Sequence, residues 1–251
     1  MRVVSLVPSS TETLRAWGVD PIACTRYCEQ PDLPTVGGTK NPDLDAIVAL
    51  NPDLVVLDTT ENLREHAEEL EARGVVVLAT DIHSVADVAP EMRRLADAVG
   101  VAGPLDPIPP AEPSGGTNGT PLSAGDRPPP LRVFVPIWRR PWMTLSGATY
   151  GSSILAAIGV VNVFADADDR FPTVTLDEVA ARSPDVVLAP TEPYDFRPAH
   201  RDELAMVAPV QVVDGRDLFW WGVRTPGALQ RLRDQLLGRA GTAADGPGRA
   251  G

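Results

Sequence analysis

The sequence predicts an α/β protein built as two Rossmann-like lobes, each with a parallel sheet, joined by a single long backbone helix. Three observations predict it: an internal repeat, strands that alternate with helices in both halves, and one amphipathic helix between the halves. The repeat has an offset of 132 residues and lines up 44–57 with 176–189. Each copy reads as a short helix, a Pro-Asp turn (Pro52-Asp53 and Pro184-Asp185) and an apolar run. Proline disfavours helical geometry in the residue before it, so the helix stops there. The unbroken apolar run that follows is what a strand covered on both faces requires. A second correspondence pairs Arg2-Val3-Val4 with Arg132-Val133-Phe134 as an opening strand, and 14–19 with 155–160 as the end of the next helix, with about ten extra residues between them in the second half. A long period used only twice points to duplicated lobes and not to a solenoid.

In the first half, strands are predicted near 2–7, 22–25, 53–57 and 75–78, with a helix near 61–72. Ser9 and Glu12 have the spacing of a capping box, which makes Ser9 the expected helix cap. In the second half, strands are predicted near 132–137, 185–189 and 210–213, and Thr225-Pro226 opens the last helix with an N-cap and a first-turn proline. Between the halves, Val85, Val88, Met92, Leu95, Ala96 and Val99 recur at helical spacing. The expected organisation is an N-terminal lobe over 1–82, an interlobe helix over 83–102, a Pro/Gly-rich disordered insert over 103–130, a C-terminal lobe over 131–237 and a disordered tail over 238–251.

Bulk properties narrow the function. The formal charge is −12, and no basic patch offsets it, so nucleic acid is excluded as a partner. No run approaches the ~20 apolar residues needed to cross a bilayer. Met1 leads at once into a strand, with neither a signal peptide nor a lipid-anchor cysteine at the start, so a cytoplasmic protein is expected; the alternative is an extracytoplasmic one whose true start lies elsewhere. Cys24 and Cys28 are too few for a disulfide framework or a zinc site, and Cys28 is read as a buried, inert thiol. His66, His83 and His200 have no ligand spacing and are read as surface residues, so no metal site is expected. Neither a nucleophile elbow, a His-Glu-x-x-His motif nor a dinucleotide fingerprint is present, and no catalytic residue is assigned. The Gly37-Gly38-Thr39-Lys40 turn lacks the spacing of a phosphate loop.

In open parallel sheets, ligands bind beyond the carboxyl ends of the strands. The segments there are aromatic and cationic. Trp138, Arg139, Arg140 and Trp142 follow the strand at 132–137, Trp220, Trp221 and Arg224 follow that at 210–213, and Glu192 and Tyr194 follow that at 185–189. Tyr150 is a further candidate in this half. From the first half come Ser10, Thr11, Arg26, Tyr27 and Lys40. Flat rings beside guanidinium groups suit a large planar ligand with anionic or amide edges.

The residues Val4 to Glu12, Gly37 to Pro42, the twice-used Pro-Asp-strand unit and the bridging helix resemble the cobalamin and iron-siderophore binding proteins of bacterial ABC importers, the helical-backbone metal receptors. The resemblance covers nearly the whole chain apart from the insert and the tail. It implies non-catalytic binding of a metal chelate (cobalamin, a ferric siderophore or a haem-like ligand) between two lobes, with no intrinsic cofactor and a monomeric chain. It also implies an ABC permease docked through a surface glutamate of each lobe, for which Glu61, Glu65, Glu192 and Glu203 lie in the right regions. The alternative is a stand-alone cytosolic chelate binder or sensor with no transporter partner.

Overall fold

The computed structural model describes residues 1–102 and 129–238. Of these, 1–102 and Trp220–Thr225 make one compact unit, and 129–219 with 226–238 make a second. Apart from Pro129, Pro130 and Gly238, the expected insert and tail lie outside the described residues.

The first unit runs β1 (Val3–Ser5), α1 (Pro8–Ala16), β2 (Ala23–Cys24), α2 (Leu44–Ala49), β3 (Leu54–Asp58), α3 (Arg64–Ala72), β4 (Val77–Thr80) and α4 (Val85–Val99). Its strands form one parallel sheet in the order β2-β1-β3-β4. The second unit runs β5 (Arg132–Phe134), β6 (Trp142–Met143), α5 (Tyr150–Ala157), β7 (Val161–Asn162), β8 (Thr173–Val174), α6 (Leu176–Ala181), β9 (Val186–Pro190), α7 (Pro198–Leu204), β10 (Val210–Val213), α8 (Gly215–Phe219) and α9 (Thr225–Leu237), whose first residue belongs to the first unit. Its parallel sheet has the order β10-β9-β5-β7, and β6 pairs with β8 as a separate antiparallel ribbon.

Read from the other edge, the second sheet repeats the first, with β7, β5, β9 and β10 standing where β2, β1, β3 and β4 stand. The 132-residue offset holds residue for residue: α2 maps onto α6 and β3 onto β9, in two different sheets. The N-caps correspond as well, Asp43 accepting from the Ala46 N–H and Thr175 from the Glu178 N–H. So do the left-handed residues that let the chain turn from helix to strand, Asn51 at φ 46° and Ser183 at φ 50°.

Each core lies between its sheet and helices. Val3, Val4 and Ser5 are all buried, as a strand covered on both faces must be. Val4, Leu6, Ile47, Val55, Leu57 and Leu70 pack in the first core, and Phe134, Val179, Val187, Phe196 and Leu204 in the second. Full burial of such side chains contributes roughly 1.5–3 kcal/mol each. The helix between the repeats also forms as its spacing predicts. Val88, Met92, Leu95 and Ala96 are buried, the Asp87 carboxylate accepts from the Ser84 N–H at 2.8 Å, and Gly100 closes the helix at φ 71°.

Three local expectations are corrected. Ser9 does not cap α1; the N-cap is Val7, because Pro8 has no N–H to satisfy and takes the first helical position, which leaves Ser9 inside the helix and buried. The extra residues of the second half carry β6, so Trp142 sits in an antiparallel ribbon and not in a loop. Trp220–Thr225 belongs to the first unit and not to the second. There Gly222, at φ 99°, lies so close to α1 that an added Cβ would stand 2.2 Å from Thr13 Oγ1. Gly18, at φ 76°, has open space around it. Gly18→Ala is therefore expected to cost about 1–2 kcal/mol, from backbone strain alone. Gly222→Ala must cost clearly more, and equal midpoints in urea denaturation would show that the contact with α1 contributes nothing.

Candidate functional site

In the second unit, the chain leaves β5 and reverses in a tight hairpin, with Met143 N–H donating to Trp138 O at 3.1 Å and Ile137 N–H to Met143 O at 2.9 Å. The turn holds Arg140 at φ 71° and leaves Trp138 46% exposed. Tyr194, in the segment after β9, presents its ring to Trp138 in a T-shaped contact at 5.1 Å. Tyr194 leans in turn on Phe196 at 4.9 Å, and Phe196 stacks on Trp142 at 6.1 Å with only 10° between the planes. The series runs from a buried core ring, Phe196, through half-buried Tyr194 and Trp142 to the exposed Trp138. Burial at one end fixes the position of the exposed ring at the other.

Arg139 reinforces this arrangement from the side. Its guanidinium lies 5.6 Å from the centre of the Trp142 ring and donates to Glu203 Oε2 through Nε and an Nη at 2.9 and 2.7 Å. Both partners are partly buried, so the pair is screened less than a fully exposed one. This pair orients the hairpin and occupies the Glu203 carboxylate. Arg140 is exposed. Glu192 is half-buried, with its Cγ against Gly215.

In the first unit, Arg26 and Tyr27 lie beyond the carboxyl end of β2 and both are exposed. The Arg26 guanidinium sits 5.2 Å from the centre of the Tyr27 ring, and both groups pack over Gly38, where a Cβ would meet Arg26 Nη2 at 2.9 Å and Tyr27 Cε2 at 3.1 Å. The expected glycine turn is thus a seat for these two side chains. Lys40 is exposed and donates to Thr60 O at 2.6 Å. Nearby, Asp58 ends β3 as a buried carboxylate that accepts from the Thr60 N–H and the Thr80 hydroxyl at 2.8 Å each; burial nonetheless raises its pKa.

Five expected contact residues are instead interior. Ser10 and Thr11 are fully buried in α1, and Thr11 Oγ1 lies 2.8 Å from Ser5 Oγ and 3.2 Å from Cys28 Sγ, within donating distance of either. Tyr150 is 6% exposed at the start of α5. Trp220 and Trp221 are 8% and 4% exposed in the first unit. Trp220 carries the Arg224 guanidinium 5.6 Å from its ring centre, and Arg224 donates to both carboxylate oxygens of Glu12, at 2.5 and 2.9 Å. These tryptophans therefore hold the Trp220–Thr225 segment in place, and Arg224 serves the same end.

Cys24 and Cys28 are buried free thiols, but Cys28 is not electronically ordinary. The hydrogen bond from Cys24, with those from Thr11 and Thr25, lowers its pKa against the opposing effect of burial. The histidines are half-buried; His83 Nε2 lies 2.9 Å from Asp81, and Nδ1 of His66 and of His200 is buried without a hydrogen-bond partner among the described residues. Among the described residues no group of three or more His, Cys, Asp or Glu side chains is placed to hold a metal ion. Phe196 was missed as an anchor of the site, although it stands in an aromatic run visible in the sequence.

Two α/β units, each on a parallel sheet, thus carry exposed rings beyond their strand ends. Residues 3–102 match the family described as periplasmic binding protein. Relatives extend the match: the vitamin B12-binding protein of Salmonella choleraesuis (strain SC-B67) is 28% identical over 196 residues, 74% of this chain and 71% of that protein. Solved structures agree in fold. The periplasmic vitamin B12 binding protein BtuF of Vibrio cholerae has a TM-score of 0.69 at 19% identity, covering 93% of this chain and 95% of its own. The periplasmic heme-binding protein RhuT from Roseiflexus sp. RS-1 has a TM-score of 0.71 at 22% identity, covering 92% and 96%. Over residues 3–102 the chain is thus similar to periplasmic binding proteins, and the solved structures share its fold. These relatives are named as vitamin B12- and heme-binding proteins, not as enzymes. The cytoplasmic expectation is overturned, because the matched family and the solved relatives are periplasmic proteins.

The burial difference separates two roles by experiment. Trp221→Ala is expected to lower stability by roughly 3–5 kcal/mol, as truncation of a core aromatic does. Trp138→Ala should leave the urea midpoint nearly unchanged. The reverse order would show that Trp138 is the structural residue.

Proposed function

We propose that this protein binds a planar metal chelate (a corrinoid, haem or a ferric siderophore) without catalysis, outside the cytoplasm, and delivers it to an ABC permease. The observation that carries this reading is the exposed Trp138 ring, held from behind by Tyr194, Phe196 and Trp142. An indole fixed in this way loses little conformational freedom on stacking against a flat ligand. Arg26 and Tyr27, seated over Gly38, supply a second platform with a positive charge. The B12- and heme-binding relatives support the same ligand class. For permease docking, Glu65 is a candidate, being exposed at the start of α3 and without an ion pair among the described residues. Glu61 reaches solvent, but desolvation and the neighbouring Asp58 raise its carboxyl against the pull of Lys40.

Titration with cobalamin, haemin and a ferric siderophore should shift the visible absorption of one of them and quench tryptophan fluorescence. Trp138→Ala should weaken that binding by roughly 1–3 kcal/mol, about five- to 150-fold. A folded Trp138→Ala protein that binds as tightly as the parent sinks the platform, and the absence of any response to all three chelates sinks the ligand class.

A further inference from the structure

A cavity of about 240 Å³ opens within the second unit, at the carboxyl end of β9. One wall is apolar, with Pro190, Phe196 and Val212, and the other carries Asp195, Arg197 and Arg201. Arg197 is the residue before α7, and the Arg201 N–H donates to its carbonyl at 3.1 Å, so the two arginines stand one helical turn apart. Arg197 is exposed and Arg201 half-buried. Among the described residues neither guanidinium has a hydrogen-bond or ion-pair partner.

Four other arginines of the unit are neutralised. Arg139, Arg182, Arg216 and Arg231 each lie against a carboxylate. In a chain of net charge −12, carboxylates are in excess, yet two arginines sharing one cavity are left without one. Like charges one turn apart repel each other, and that repulsion becomes attraction when an anion sits between them. Guanidinium groups match the paired oxygens of carboxylate and phosphate, and partial enclosure strengthens the resulting charge-assisted bonds.

We propose that Arg197 and Arg201 form an anion subsite that takes a carboxylate or phosphate group. Asp195 limits its affinity by placing a negative charge in the same cavity. The group can arrive on a free anion or on the edge of a chelate; only the second source rests on the function proposed above.

Calorimetric titration of the full chain with inorganic phosphate and with citrate tests the subsite without any chelate. At least one of the two should bind, and Arg197→Gln/Arg201→Gln should weaken it by about tenfold or more. If neither anion binds, or the double variant binds as the parent does, the subsite is refuted. Should the double variant fail to fold, Asp195→Asn decides: it leaves α7 untouched and should tighten the anion, whereas unchanged or weaker binding overturns the proposal. The source is then read by competition with whichever chelate binds. An anion that displaces the chelate marks a subsite for the chelate's acidic edge, and one that binds alongside it marks a separate site for a free anion; either outcome upholds the subsite.

Discussion

Both sheets depend on one clamp, made by the arginine that opens the central strand of each. Arg2 donates to the carbonyls of Leu50 and Asn51, at 2.6 and 3.2 Å, and its N–H is accepted by Asp53 at 2.6 Å. Arg132 does the same to Arg182, Ser183 and Asp185, at 2.7, 3.4 and 2.8 Å. The carbonyls at the end of a helix have no partner within it, and those of the residues just after α2 and α6 find theirs in the guanidinium. The aspartate of the Pro-Asp turn meanwhile takes the N–H at the start of β1 or β5, which sets the register of each against the strand that follows the turn. A slip by one residue would break all three bonds. This register decides which residues emerge at the carboxyl ends of the strands, and so which of them meet a ligand.

Beyond those ends, the second unit makes an exposed surface rigid by anchoring it in the core. Phe196 belongs to the core around Phe134 and Val187, and Tyr194 and Trp142 pack against that core from outside. The Arg139–Glu203 pair adds direction more than energy, since a partly exposed ion pair contributes about 1 kcal/mol or less. A ligand that stacks on Trp138 meets a ring whose orientation was set when the core formed. That preorganisation lowers the entropic cost of binding.

Much of the fold was legible because repetition doubles the signal. A helix, a Pro-Asp turn and a strand read once are ambiguous, but read twice at one offset they locate α2, α6, β3 and β9, with the strands one residue from their expected bounds. The site was less legible, because sequence shows which residues follow a strand and not which way they turn. Trp220 and Trp221 share their composition with the Trp138 hairpin, yet the chain carries them back onto α1, where Glu12 and Thr13 hold Arg224 and Val223. The evidence for that return was the pairing of Gly222 with a helix more than 200 positions earlier, which no local pattern reveals. Ser9 failed as a cap for a simpler reason, since Pro8 beside it was the stronger signal. The compartment was misjudged because the first few residues of the sequence carry no information about where the chain works.

The charge of the protein opposes the ligands proposed for it. At −12 the chain as a whole repels an anionic haem or ferric siderophore at long range, while the exposed side chains Arg26, Lys40, Arg140 and Arg197 are cationic. The two fields act over different distances. At physiological ionic strength the Debye length is about 8 Å, so charges spread over the surface are largely cancelled at the distance from which a ligand approaches. A guanidinium within hydrogen-bonding distance is not screened in that way. Added salt thus weakens the repulsion at a distance more than the attraction at contact, and an acidic protein can hold an anionic chelate where its arginines stand clear of its carboxylates. In the second unit four arginines are tied to acids, and others such as Arg140, Arg197 and Arg201, which have no ion pair among the described residues, contribute the positive field that such a ligand would meet.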